Sequence, residues 1–187
     1  MALFTSRPFK AIAATVTAAF MLASCSSEAS SPTAAPEASD ANGSDERIVA
    51  LGLGDVDTLL ALGEQPVGYA TWEQEGSGDP SGLGPWAKDK LTVNPNPIRD
   101  TTTEFSTDTA EKVASLNPTQ IIAVNSGLED DKKALLEQIA PTTFHSDEYQ
   151  DWQVPWDAQV KEISKAVDKE DEGQKLIDDA EQAFEDF

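Results

Sequence analysis

Glu111-Lys-Val-Ala-Ser-Leu-Asn-Pro-Thr-Gln-Ile-Ile-Ala-Val-Asn-Ser-Gly-Leu128 is the stretch whose reading decides the fold. Val113 and Leu116, three apart, mark one face of a short helix. Asn117-Pro118 stops that helix, because proline pushes the residue before it out of helical geometry. Gln120 to Val124 is then a continuous apolar run rich in β-branched residues, which suits a strand covered on both faces in a parallel sheet. Asn125-Ser126-Gly127 follows as a polar tip at the carboxyl end of the strand, where open α/β sheets place their ligands. Helix, stop, buried strand and polar tip make one turn of an α/β binding domain.

The flanking sequence repeats this rhythm. Ile48 to Leu51 is a short apolar run ending in Gly52-Leu53-Gly54, and Asp55 is expected to cap a helix from Val56 to Leu62. Gly63 closes that helix, and Pro66-Val-Gly-Tyr69 starts a second strand. The third glycine of a dinucleotide fingerprint is missing, so tight strand-to-helix turns explain Gly52 and Gly54 more plainly. Residues 71–104 read as one long irregular loop rich in glycine and proline, and a loop of that length inside a domain is functional or disordered. It carries Trp72, Trp86 and Arg99, which suits a binding rim. Thr107 or Asp108 is expected to cap the helix that holds Glu111. Beyond the central strand, Glu129 to Ile139 reads as a helix with Leu135, Leu136 and Ile139 inward. Thr142 to Phe144 is a further short apolar piece. Pro155 opens a helix whose buried face is Val160, Ile163 and Val167. Leu176, Ile177, Ala180 and Phe184 lie at helical spacing in the polar stretch from Lys169 to Phe187.

Composition bounds the function. The 187 residues carry 34 acidic and 13 basic side chains, a formal net charge of −21. That balance excludes nucleic acid and docking on anionic lipid through a basic patch as partners. It reads as a well-solvated surface. At the amino end, Arg7 and Lys10 precede an apolar run from Ala11 to Ala23, too short to span a bilayer and typical of a secretory signal. Leu22-Ala23-Ser24-Cys25 resembles a bacterial lipobox, which implies cleavage before Cys25 and a diacylglycerol on its thiol. Cys25 is the only cysteine, so no intrachain disulfide forms. Residues 26–45 have no apolar period and read as a disordered tether.

The central stretch resembles the "E-K-I-A-A-L-K-P-D-L-I-I-A" block of substrate-binding proteins that serve iron–siderophore and cobalamin ABC importers. Arg47 to Asp55 and Leu62-Gly-Glu-Gln-Pro-Val-Gly-Tyr69 resemble that family's first strand and its "L-G-x-x-P-V-G" second strand. Gly84-Pro85-Trp86 resembles its "P-W" loop. Ala140-Pro-Thr-Thr143 and Val154-Pro-Trp-Asp-Ala-Gln159 resemble its "A-P-T" and "P-W-x-x-Q" segments. The ordered set covers nearly everything from Arg47 to Phe187, with Thr119 standing where the family usually has Asp. The resemblance implies a Rossmann-like α/β lobe, a small parallel sheet flanked by helices, at 46–167. Before it come a signal peptide at 1–24 and a lipidated Cys25 with its tether at 25–45. Residues 168–187 match the start of the helix that joins two lobes, so a carboxyl-terminal lobe is expected to be missing and affinity to be weak or absent.

It also implies capture of a ferric siderophore on the outer face of the cytoplasmic membrane, with the chain lipid-anchored and monomeric, and delivery to an ABC permease. No cofactor or protein-bound metal is implied, since the siderophore's own donors satisfy the iron. In the family, the glutamate matching Glu111 docks into an arginine pocket of the permease; a carboxylate on a first helical turn is also stabilising without any partner. A chelate of this kind calls for aromatic walls and one or two cations. Trp86 is the leading ligand-binding candidate, with Trp72 and Tyr69 at the rim; simple packing explains Trp86 about as well. Arg99 could grip ligand oxygens through its fork or pair with Asp100 or Glu104. Asn125 and Ser126 sit at the sheet's carboxyl edge.

Enzymatic chemistry is poorly supported. There is no G-x-S-x-G turn, and the only imidazole, His145, has no orienting partner nearby in sequence. A lone histidine also argues against a zinc or manganese site. The acidic runs lack a calcium-loop pattern, and no phosphate-binding G-x-x-x-x-G-K-[ST] loop occurs. A protein-docking lipoprotein that binds no small ligand is the alternative reading.

Overall fold

Continuous apolar runs build a five-stranded sheet with an apolar core on each face. In the computed structural model, which describes residues 46–71, 81–94, 96–98 and 105–187, the strands are β1 (Ile48–Ala50), β2 (Gly68–Ala70), β3 (Pro97–Ile98), β4 (Gln120–Ala123) and β5 (Thr142–Phe144). The helices are α1 (Asp55–Ala61), α2 (Thr107–Ser115), α3 (Asp130–Ile139), α4 (Trp156–Ala166) and α5 (Glu170–Glu185). The strand order is β3-β2-β1-β4-β5. Every pairing is parallel, with Ala50 beside Tyr69 and Ile122 and Tyr69 beside Pro97. The α/β lobe expected from the sequence is the fold observed.

Side chains one apart on a strand point to opposite faces. Ile48, Ala50, Ile122 and Val124 therefore join Val56, Leu59, Ala158 and Ile163 in the core beneath α1 and α4. Val49, Leu51, Ile121 and Ala123 join Val113 and Leu136 beneath α2 and α3. The inward face expected for α4 is present, with Val160, Ile163 and Val167 buried. On α3, Leu136 is fully buried while Leu135 and Ile139 are partly so. On α5, Ile177 is buried and Leu176 packs on the α1–α4 core, but Phe184 is 77% exposed.

Three local expectations are corrected. Asp55 does not cap α1: the cap residue is Gly54, and the Asp55 carboxylate turns back toward the sheet. The cap of α2 is Ser106, whose side chain accepts from the amide of Thr109 at 3.2 Å, rather than Thr107 or Asp108. The stretch 71–104 is not wholly irregular, since it contributes edge strand β3 and a single 3-10 turn at Lys88–Lys90. The proposed signal peptide, Cys25 and the tether lie outside the described residues, so their expected roles are not addressed by the fold. Among the described residues, no helix is long and apolar enough to cross a membrane.

Candidate functional site

The chain runs β1, β2, β3 to one side and β4, β5 to the other, so the strand order reverses between β1 and β4. Open α/β sheets bind ligands outside the carboxyl ends of the strands at such a reversal. Here the chain fills that position with its own carboxylate. Asp55 Oδ2 accepts from the amides of Gly52 and Val124, both at 2.9 Å. Its Oδ1 accepts from the amide of Asn125 at 3.3 Å and from Gln159 Nε2 at 2.7 Å. Gln159 Nε2 also donates to the carbonyl of Leu53 at 2.7 Å, tying α4 to the β1 loop. A Cβ at Gly52 would collide with the Asp55 carboxylate, so only glycine admits this contact. Burial pushes the Asp55 carboxyl up to about 6, and its four hydrogen bonds pull the other way.

Two of the candidate ligand contacts lie in the same loop, and the Oδ1 of Asn125 is buried without a hydrogen-bond partner among the described residues. Asn125 is 7% exposed and its Nδ2 donates to Leu53 O at 3.3 Å, while Ser126 is 3% exposed and its hydroxyl donates to Ala123 O at 2.8 Å. Both are loop-closing residues beneath the surface. Tyr69 is likewise no rim residue: it is fully buried, and its hydroxyl donates to Ser81 O at 3.0 Å. Its ring fills the core under α1 because the alternation along β2 turns position 69 inward.

The open space lies one strand over, at the carboxyl ends of β1 and β2. A cleft of about 440 Å³ is lined by Leu53, Gly54, Val56 and Asp57 on one side and Ala70, Thr71, Gly82, Leu83, Gly84 and Trp86 on the other. Trp86 is 72% exposed, yet its indole is fixed, since Nε1 donates to Asp57 Oδ1 at 2.9 Å. The ring lies against Gly84, where any Cβ would strike it. Burial raises the Asp57 carboxyl above its ordinary value, and the indole donation partly offsets this. Thr71 is buried in the cleft wall, and among the described residues its Oγ1 has no hydrogen-bond partner. A buried hydroxyl left unmatched costs free energy until something fills the role. A smaller hollow of about 230 Å³ beside Asn96, Pro97 and Leu116 lies away from these carboxyl ends.

Of the candidates, Trp86 alone is placed in the cleft. Trp72 and Arg99 lie outside the described residues. Glu111 is exposed on α2, where a docking partner could reach it. His145 does have a partner after all: its Nε2 lies 3.2 Å from Asp151 Oδ1 and its Nδ1 2.9 Å from Ser146 O, with the side chain largely covered. Asp57 and Thr71 were missed by sequence reasoning. Thr71 directly follows the second strand, and Asp57 sits on the helix after the first, so both carry the positional signal of a carboxyl-edge residue. Trp152 was also missed; it adopts φ 63°, a conformation rare for a bulky residue, and its indole covers Gly127. Among the described residues, no group of three or more histidine, cysteine, aspartate or glutamate side chains could hold a metal ion.

A model of the family described as "Periplasmic binding protein" matches residues 48–187. A solved periplasmic solute binding protein from Mycobacterium smegmatis is 33% identical with a TM-score of 0.66, the match covering 74% of this chain and 46% of that one. PiaA of Streptococcus pneumoniae, solved in complex with ferrichrome, is 31% identical with a TM-score of 0.63, covering 73% of this chain and 44% of PiaA. Staphylococcus aureus SirA, at 24% identity and a TM-score of 0.54, shares the fold; the match covers 72% of this chain and 43% of SirA. The chain thus spans less than half the length of these solved structures. No curated protein matches it.

Proposed function

The chain belongs to the periplasmic binding protein family, and we propose that it provides one wall of a site that captures a ferric siderophore for an ABC importer. The observation that carries this reading is the cleft at the β1 and β2 carboxyl ends, with the largely exposed Trp86 in its lining and hydrogen-bonded to Asp57. A siderophore already saturates its iron, so the protein needs a shaped, mostly apolar cradle with few polar contacts. Leu53, Val56, Leu83 and Trp86 supply the apolar walls, and Thr71 supplies a waiting hydroxyl. The likeness to PiaA, whose structure holds ferrichrome, supports the chemical class.

In this reading the protein is a binder and not a catalyst. Cys25 carries a lipid anchor that holds the chain on the outer face of the cytoplasmic membrane, after removal of residues 1–24. Residues 26–45 act as the tether and 46–167 as the lobe, with α5 packed on it as the start of the interlobe helix. Glu111, exposed on α2, docks on the permease through charge complementarity. The chain works as a monomer.

Binding is tested by titrating the chain with gallium(III) ferrichrome, a diamagnetic stand-in for the iron complex, and following the indole N–H resonances. Movement of the Trp86 resonance supports the reading. A folded chain whose indole resonances all stay still at millimolar chelate contradicts it, and leaves protein docking as the function.

A further inference from the structure

The charge of the cleft points to the charge of its ligand. Among the described residues lining it, Asp57 is the one charged side chain, and no lysine, arginine or histidine is present to balance it. Its carboxylate is partly withdrawn from water, which strengthens its interaction with any charge brought alongside. The remaining walls are apolar, apart from the unpaired Thr71 hydroxyl. The chain as a whole carries a formal charge of −21, which repels anions at longer range.

Ferric chelates differ mainly in this property. Three hydroxamates balance iron(III) and leave a neutral complex; a hydroxamate chelate with a protonated amine tail is a cation; three catecholates leave a triply negative one. Resting on the reading of the cleft as a siderophore site, we propose that this lobe selects neutral or cationic ferric hydroxamates and rejects anionic chelates, with Asp57 as the selecting residue. A negative chelate entering the cleft meets Asp57 with no counter-charge among the residues that line it, a repulsive element of the kind that specificity requires. A neutral chelate meets only the apolar walls and the Thr71 hydroxyl. An ammonium tail gains the Asp57 carboxylate and the largely exposed Trp86 ring together.

The test compares three gallium(III) complexes on the 187-residue chain by the same indole resonances. They are desferrioxamine B, which is singly positive, ferrichrome, which is neutral, and enterobactin, which is triply negative. The expected order places the cation and the neutral complex about tenfold or more tighter than the anion. Tighter or equal binding of the enterobactin complex overturns the selection while leaving the siderophore reading standing. Failure of all three overturns both.

Asp57→Asn separates the selector from the scaffold. The variant, whose amide oxygen can still accept from the Trp86 indole, is expected to narrow the preference for desferrioxamine B over enterobactin about three- to tenfold. An equal loss for both complexes, in a variant with an unaltered circular dichroism spectrum, overturns the assignment to Asp57.

Discussion

Asp55 is surrounded by neutral donors: three backbone amides and the Gln159 side-chain amide converge on its two oxygens. Donors favour the carboxylate and burial favours the acid, and burial dominates, leaving the group at about 6 against an ordinary value of 3.8. A carboxyl whose folded value is raised binds its proton more tightly in the folded state than in the unfolded one. Its contribution to stability is therefore full below the unfolded value and is lost as pH rises through the folded value. Relative to Asp55→Asn, the wild-type unfolding free energy is expected to fall by about 2 kcal/mol between pH 4 and pH 7. Urea unfolding at both pH values measures this, and a flat difference contradicts it. Trp86 is the opposite case: a largely exposed ring with one hydrogen bond. Trp86→Ala is expected to cost less than about 0.5 kcal/mol of stability while abolishing the response to chelate. A large loss of stability would return Trp86 to the packing role that the sequence alone left open. Tyr69, expected at the rim, and Asn125 and Ser126, expected at the sheet's carboxyl edge, are all buried. Position along a strand is legible in sequence, but whether a side chain there faces ligand or core depends on what covers it. Here the Tyr69 hydroxyl donates to Ser81 O, Asn125 Nδ2 to Leu53 O and the Ser126 hydroxyl to Ala123 O.

At the scale of elements, the strands with β-branched apolar runs were legible and β3 was not. Two residues, Pro97 and Ile98, are too few to show a period, and proline argues for an edge, which is where β3 lies. The α2 cap shows a related limit. Ser106, Thr107 and Asp108 can all accept from a backbone amide, and the bend of the chain chooses Ser106. Ser106→Ala is expected to lower the unfolding free energy by about 1 kcal/mol, read by thermal unfolding, with Thr107→Ala nearly neutral. Helix α5 is fastened to α1 by Lys169, whose Nζ lies 2.5 Å from Glu64 Oε1 and 2.8 Å from the carbonyl of Leu62 at the end of α1. Lys169→Met keeps the aliphatic stem and removes both contacts. It is expected to cost about 1–2 kcal/mol, the loss shrinking at high salt because part of it is an ion pair.

For the whole molecule, the arrangement of helices around a parallel sheet was readable because the sheet has an apolar core on each face and the sequence advertises that as unbroken apolar runs. The site was only half readable. Its location at the carboxyl edge follows from topology, but Asp55 closes the β1–β4 reversal and leaves the β1–β2 side open, which no sequence pattern announces. Among the described residues, Trp86 is the one proposed ligand residue that lines the open cleft. The chain has four tryptophans, so labelled indole nitrogens give a spectrum in which each can be assigned by single substitution. Titration with gallium(III) ferrichrome is expected to move the Trp86 resonance progressively while that of Trp156, on α4, stays in place. Movement of Trp156 alone, or of neither in a folded chain at millimolar chelate, would contradict the siderophore site.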